Sequence, residues 1–356
     1  MPPTIPNRQW TSHLNGISNL TLTQTTTSHP ATNEVLVRIT AISLNYKDGE
    51  TISGQFNHHA AVSLPSTIVP CSDAAGQVWE VGDGVTRWKK GDRVLALPYL
   101  EYKTGRITQE MLGSGIGSSG KGVSCEYRIF EEDALLPVPE SMSDEEACTM
   151  TVAGITAWMA MNGQRPLGSP GGQEEVVLIQ GTGGVSIQGL QIAKASGATV
   201  IITSSSDEKL ARAKALGADY TINYKTTPDW DVEVLRLTSG RGADIIFENG
   251  GAPTTAKSFN CIRFGGLFNA IGYVSGKVDP KDEEKTNINV QAIRKNVILV
   301  GMLNGPRDRV VEMLEFYENH GIKPVIDRVF KFEEAKEALQ YLWSGSHFGT
   351  VVVKVP

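Results

Sequence analysis

The sequence reads as an α/β protein of two domains, one mostly antiparallel β and one a doubly wound parallel sheet. Three observations carry that reading. At 356 residues the chain exceeds the size at which a single hydrophobic core keeps growing, so two cores are expected. From about Glu175 onward, short Val/Ile-rich runs alternate with helical patterns: Val176–Ile179, Thr199–Ile202, Tyr220–Ile222, Asp244–Phe247, Leu267–Ile271 and Val297–Gly301. Such alternation makes βαβ units, which place helices on both faces of a parallel sheet. Before about residue 150 the pattern changes to alternating stretches set between Gly/Pro turns, such as Glu34–Ile39 and Gly91–Leu97, the mark of antiparallel β.

Within the first half, the Gly/Ser-rich stretch Leu112–Gly122 interrupts the strands and is expected to be a mobile surface loop, either a tolerated insertion or a lid over a substrate entrance. In the second half Gly197 and Gly217 stand where two helices should stop. Near the C-terminus Phe332–Leu342 is an amphipathic helix with Glu/Lys pairs, and Gly349–Lys354 is a terminal strand. Both are assigned to the first domain. The expected borders are therefore 1–150 with 303–356 for one domain, and 151–302 for the other.

Composition limits the function classes. With 40% hydrophobic and 20% charged residues the chain can build packed cores, and disorder is not indicated. A net charge of −6 without a Lys/Arg run argues against nucleic acid or an anionic membrane as partner and favours a small-molecule substrate. The start, Met1 to Trp10, lacks the apolar run of a signal peptide, and no stretch reaches membrane-span length, so a cytoplasmic location is expected. The four cysteines, Cys71, Cys125, Cys148 and Cys261, lie far apart without a C-x-x-C pair, so free thiols packing as small hydrophobes are expected rather than disulfides or a structural zinc lobe.

The chemistry begins directly after Val176–Ile179. There Gly181-Thr182-Gly183-Gly184-Val185-Ser186 leads into Ile187, Leu190 and Ala193 at helical spacing. A glycine turn between a strand and a helix is the phosphate cradle of a Rossmann-type domain. Gly181 permits the turn, Gly183 lets backbone approach a pyrophosphate, and the helix offers free N–H groups and the positive end of its dipole. Ser186 takes the third glycine's place.

The end of the second strand selects the dinucleotide, because NAD needs an acidic acceptor there for its ribose diol. This chain has Thr203-Ser204-Ser205-Ser206 instead, with Lys209 a turn later. Hydroxyls and an ammonium suit a 2′-phosphate, so NADP(H) is the expected cofactor, held by Ser204, Ser205 and Lys209. Asp207 is the competing acceptor, read here as a helix cap. Tyr224 either stacks near the adenosine or covers the sheet edge. Asn249, Ile271 and Gly272, at the ends of later strands, complete the expected cofactor-binding set with Gly181, Thr182, Gly183, Gly184 and Val185.

Several further motifs then come in order along nearly the whole chain: Ser43 to Asp48, with Asn45-Tyr46-Lys47-Asp48; Ala75-Gly-Gln-Val78; Val81-Gly-Asp-Gly-Val85; Lys90-Gly-Asp-Arg-Val94; Phe264 to Gly272; and Ser346 to Val353. This pattern resembles the medium-chain dehydrogenases/reductases, and within them the zinc-independent branch similar to quinone oxidoreductases and enoyl reductases. The resemblance implies a GroES-like catalytic domain beside the Rossmann domain. It makes Asn45, Tyr46 and Lys47 the active-site segment, and places the nicotinamide side of the pocket near Phe264 to Gly272.

The departures from zinc-dependent relatives are informative. Those proteins carry Cys where this chain has Asn45, His where it has Ser72, and a further Cys near Val152. Asp73 alone cannot supply the three protein ligands of a catalytic zinc, so no metal is expected. Oxidising a simple alcohol would build alkoxide charge that zinc normally stabilises. Hydride delivery to a conjugated carbonyl spreads the charge over an enolate, for which one or two hydrogen bonds suffice. Tyr46 and Lys47 are the donors able to stabilise that oxygen or return a proton, Asn45 can orient the carbonyl or the cofactor ribose, and Asp48 is read as a loop anchor. Tyr46 has an equal reading as an aromatic pocket wall.

The expected activity is thus an NADPH-dependent reductase of an enone, quinone or enoyl thioester. A stand-alone enoyl reductase would take an acyl-carrier or polyketide synthase partner. The alternatives are a zinc-free carbonyl/alcohol oxidoreductase and, from another class, a non-catalytic NADPH-binding protein. By analogy with the family, a homodimer is expected to form through the edge strand Val297–Gly301.

Overall fold

A computed structural model describes residues 4–56, 65–118, 121–278 and 287–356. Its elements in chain order are β1 Thr4–Thr11, β2 Thr21–Ser28, β3 Glu34–Leu44, α1 Tyr46–Ile52, β4 Asp73–Val81, β5 Arg93–Ala96, α2 Gln109–Gly113, β6 Tyr127–Glu131, β7 Leu135–Pro137, α3 Asp144–Ala147, α4 Ile155–Asn162, β8 Val176–Gln180, α5 Gly184–Ala195, β9 Thr199–Ser204, α6 Asp207–Ala215, β10 Tyr220–Asn223, α7 Trp230–Leu237, β11 Ala243–Glu248, α8 Ala252–Cys261, β12 Ile262–Ala270, α9 Ile288–Lys295, β13 Ile298–Gly301, α10 Arg307–His320, β14 Ile326–Lys331, α11 Ala335–Trp343 and β15 Thr350–Lys354. Two compact units result: Met1–Ile155 with Pro306–Pro356, and Thr156–Gly305. The borders fall a few residues beyond those expected from the sequence.

The first unit is built on a sheet of order β14-β15-β3-β4-β5-β7, with β6 also pairing β3 and a separate β1–β2 hairpin. All its pairings are antiparallel except β14 with β15. The central strand β3 is buried over most of its length, and Val35, Val37, Ile39 and Ile42 pack with Val351 and Val353 of the terminal strand and Leu339 of α11. That shared core is why the C-terminal segment belongs to this unit. The amphipathic segment opens as a short turn, Phe332–Glu334, before α11 proper.

The Gly/Ser-rich stretch differs from expectation. Ser119 and Gly120 lie outside the described residues, but Ile116 is 1% exposed within the core, and its N–H donates to Pro98 O. The N–H groups of Gly122 and Val123 donate to Val69 O and Cys71 O. Gly115 to Ser118 and Gly122 are buried, and a Cβ at Gly117 or Gly122 would meet the backbone of Cys71 or of Val69 and Pro70, so these small residues serve close packing, while Gly113 and Lys121 stay exposed.

The second unit holds a six-stranded sheet of order β10-β9-β8-β11-β12-β13, with every pairing parallel. Val177, Leu178, Ile179, Ile201 and Ile246 are fully buried, as both-face coverage of a parallel sheet requires. Helices α5 and α6 end into Gly197 (φ +83°) and Gly217 (φ +104°), the left-handed stops anticipated from the sequence. The first strand β8 lies mid-sheet and the order reverses between β8 and β11, so the C-terminal ends of those strands border the switch-point crevice of a doubly wound fold. All four cysteines are buried and unpaired. Among the described residues no helix is long and apolar enough to cross a membrane.

Candidate functional site

The cradle forms as chain geometry demands. Leaving β8 at Gln180, the chain turns through Gly181 at φ +78°, a conformation side chains rarely adopt, and the Gly181 N–H bonds to Thr203 O of β9. Thr182 is buried, whereas Gly183, Gly184 and Val185 are partly exposed. Gly183 precedes α5 without a side-chain cap, and no acidic residue lies in the helix's first turn. That leaves a helix N-terminus suited to completion by an anion. Ser186, expected merely to replace a glycine, is buried and donates its hydroxyl to Gln180 O at 2.8 Å, closing the turn. The close helix–strand approach falls instead to Gly189, where a Cβ would lie 2.7 Å from the Phe247 ring of β11.

Beside the cradle, β9 ends at Ser204, which is only 4% exposed, while Ser205 and Lys209 are half-buried. The cap of α6 is Ser206, whose hydroxyl accepts from Lys209 N–H; this corrects the reading of Asp207 as the cap. Asp207 is the first helical residue, and Asn223 Nδ2 donates to it at 2.7 Å. Tyr224 is 42% exposed at the sheet margin, its N–H bonded to Ser204 O.

On the other side of the crevice Asn249 turns its amide inward. Its Nδ2 donates to Gln180 O at 2.9 Å and to Ser186 Oγ at 3.2 Å. The N–H groups of Ile271 and Gly272 both donate to Glu248 O, at 2.9 and 3.1 Å. At the centre lie two side chains the sequence did not single out, Gln180 and Glu248, 6% and 2% exposed. Gln180 Nε2 donates to Glu248 Oε2 at 2.7 Å and to Ser258 Oγ at 2.8 Å. Gln180 Oε1 accepts from the N–H of Asn249 and of Gly250. The Glu248 carboxylate also accepts from Gly250 N, Gly251 N, Thr254 Oγ1 and Ser258 Oγ.

In the first unit, α1 presents the Asn45-Tyr46-Lys47-Asp48 segment. Asp48 is buried and accepts from Asn45 N–H at 2.8 Å, fixing the helix entry; burial pushes its carboxyl up to about 6, against the pull of Lys47. Asn45 Nδ2 donates to Asp73 Oδ2 at 3.3 Å, and Thr151 Oγ1 donates to Asp73 Oδ1 at 2.6 Å. Burial raises Asp73 to about 7 even though both bonds favour its charged form. Thr151 stands in the wide helical turn Met150–Gly154, a geometry frequent at functional sites. The Tyr46 ring stacks on Trp343 of α11 with centroids 4.9 Å apart and planes within 7°. Gly49 makes room for that indole, since a Cβ there would lie 2.5 Å from it. Burial and then Glu50 hold the Tyr46 phenol above its ordinary value. Lys47 Nζ lies 5.9 Å from the centre of the Tyr99 ring.

Comparison with known proteins agrees with this architecture. Residues 31–140 match the alcohol dehydrogenase GroES-like domain and residues 184–319 the zinc-binding dehydrogenase family. A zinc-type alcohol dehydrogenase-like protein of Schizosaccharomyces pombe is 38% identical over 322 residues, covering 90% of this chain and 91% of that protein. The chain belongs to the medium-chain dehydrogenase/reductase superfamily. This dehydrogenase/reductase is also 32% identical to a quinone oxidoreductase of Pseudomonas aeruginosa, across 70% of this chain and 68% of the relative. A solved NAD-dependent alcohol dehydrogenase superposes with a TM-score of 0.84 at 31% identity, covering 98% of this chain and 100% of that one. It is therefore an oxidoreductase-family protein with a GroES-like and a Rossmann-type unit.

The zinc named in the family's description meets a poor donor set in this dehydrogenase/reductase. Asn45 offers an amide already committed to Asp73, Ser72 is fully buried, and Val152 has no donor. Among the described residues no three His, Cys, Asp or Glu side chains group so as to hold a metal ion.

Proposed function

We propose that this member of the superfamily is a zinc-free, NADPH-dependent reductase that transfers hydride to a conjugated carbonyl compound: an enone, a quinone or an enoyl thioester. The observation that carries the reading is the Asn45–Asp73–Thr151 group. At and beside the positions where zinc relatives place ligands, this chain has the Asn45 amide and the Thr151 hydroxyl bonded to the buried Asp73 carboxyl. That set does not fit catalytic zinc, which requires three protein ligands. Without a Lewis acid, reactions that build localised alkoxide charge lose several kcal/mol of stabilisation, whereas an enolate needs only positioned hydrogen bonds.

The residues fit a nicotinamide dinucleotide. The open N-terminus of α5 would receive the pyrophosphate, while Ser205 and Lys209 would meet a 2′-phosphate. Asp207, the local carboxylate able to hold a ribose diol, is already engaged by Asn223, which supports NADP over NAD. When bound, the cofactor supplies the hydride. Tyr46, its phenol held above the ordinary value by burial and then by Glu50, would donate a hydrogen bond to the substrate oxygen, with Lys47 as the second donor and proton source. Asn45, its amide hydrogens turned to Asp73, would present its carbonyl oxygen as an acceptor. A homodimer through β13 is part of the reading: β13 ends the sheet, and Ile293, Ile298 and Leu299 are exposed along it and α9.

Carbonyl/alcohol oxidoreduction is the second reading, favoured by the alcohol dehydrogenase names of the S. pombe relative and of the solved structure. The two are separated by following nicotinamide absorbance with matched enone, quinone, saturated ketone and alcohol substrates. Turnover of enone or quinone with NADPH, far above saturated ketone reduction or alcohol oxidation, is expected. Preferential alcohol oxidation overturns the proposal.

A further inference from the structure

The crevice of a doubly wound sheet opens where strand order reverses, here between β8 and β11, and the last residues of those strands are Gln180 and Glu248. They bond to each other across the reversal. Through Gln180 O the pair holds Ser186 of the cradle and the Asn249 amide. Through Glu248 O it holds the backbone of Ile271 and Gly272. Its side chains hold Asn249, Gly250, Gly251, Thr254 and Ser258. A buried carboxylate accepting from Gln180, Gly250, Gly251, Thr254 and Ser258 is fully satisfied, and both ends of the Gln180 amide are committed, so the polarity of the pair is fixed.

We propose that Gln180 and Glu248 are positioning residues forming a latch between the two halves of the cofactor crevice. The latch registers the 249–251 and 271–272 loops, which border the nicotinamide half, against the cradle that borders the pyrophosphate. The adenosine half depends instead on side chains at the end of β9 and the start of α6; Gln180 pairs Thr203 of β9 through the backbone ladder alone, and the latch side chains bond to neither segment. The inference rests on a dinucleotide occupying this crevice.

Atom accounting supplies the test. In Glu248→Gln the remaining oxygen must keep Gly250, Gly251 and Thr254, so the new NH2 faces Gln180 Nε2, donor against donor. Gln180 cannot turn over without stranding the N–H of Asn249 and setting its own NH2 against the N–H groups of Asn249 and Gly250. In the exchanged pair Gln180→Glu with Glu248→Gln, every donor again meets an acceptor. Binding of NADPH and of 2′,5′-ADP, which lacks the nicotinamide half, is measured calorimetrically for wild type, the single variant and the exchanged pair. Glu248→Gln is expected to weaken NADPH at least about tenfold and 2′,5′-ADP less than about twofold, with the exchange recovering most of the loss. Unchanged NADPH binding, or equal loss of both ligands, overturns the latch; that ratio in the single variant decides even where the exchanged pair does not fold. A folded exchanged pair with no recovery also overturns it. Wild type that binds no dinucleotide refutes the proposed function instead, and wild type that prefers NADH moves the comparison to NADH against ADP.

Discussion

Replacing Asp73 by asparagine should flatten the pH dependence of stability. Asp73 is fully buried, and its carboxyl rises from 3.8 to about 7 because burial opposes the charge more than Thr151 and Asn45 favour it. The folded value lies above the unfolded one. The stabilisation linked to this group is therefore complete below about pH 4 and is lost as pH rises towards and through about 7. Integrating the linkage for those two values, wild type should lose about 2–3 kcal/mol from this group between pH 5 and pH 8. Asp48, also raised by burial, adds a loss of the same sign that the variant retains. The introduced amide keeps an oxygen for Thr151 Oγ1 and turns its NH2 to the side of Asn45. Urea unfolding of both proteins at pH 5 and pH 8, followed by circular dichroism, measures the difference. Parallel pH dependences would refute the reasoning, because Asp73 would then be ionised in the fold at no cost.

Tyr46→Phe should lower kcat for an enone on the order of 10²-fold while leaving the NADPH dissociation constant unchanged; full kcat with only KM altered would make the phenol a pocket wall. Trp343→Ala removes the ring stacked on Tyr46, so the phenol, read by its ultraviolet titration, should fall towards its ordinary value as kcat declines. Lys209→Ala should weaken NADPH by about one to two decades and spare NADH, whereas equal loss with both would assign the lysine another role. Gly189→Ala forces a methyl to within 2.7 Å of the Phe247 ring and should cost about 1–3 kcal/mol, seen as a lower melting temperature.

The second unit is the more legible in sequence, because its buried central strands leave uninterrupted Val/Ile runs and helices α5 and α6 stop at glycines. The cradle shows for the same local reason: Gly181, Gly183 and the start of α5 are contiguous. What stayed hidden depends on distant partners. Gln180 and Glu248 are 68 residues apart, and only strand order brings them together. A charged residue closing the apolar run of β11 was the available signal. Trp343 gives no sign in the sequence of its stack on Tyr46, which lies at the other end of the chain. Ile116 sits in a Gly/Ser-rich stretch whose composition suggests a surface loop, yet the small residues let that segment thread into the core. Ser206 and Asp207 both suit a helix cap, and only backbone geometry separates them.

Metal content of the active protein tests the central claim most directly. Elemental analysis of purified, turnover-competent protein should find no stoichiometric zinc, with NADPH-dependent reduction unchanged after chelation. About one zinc per chain, lost together with activity on chelation, would contradict the account.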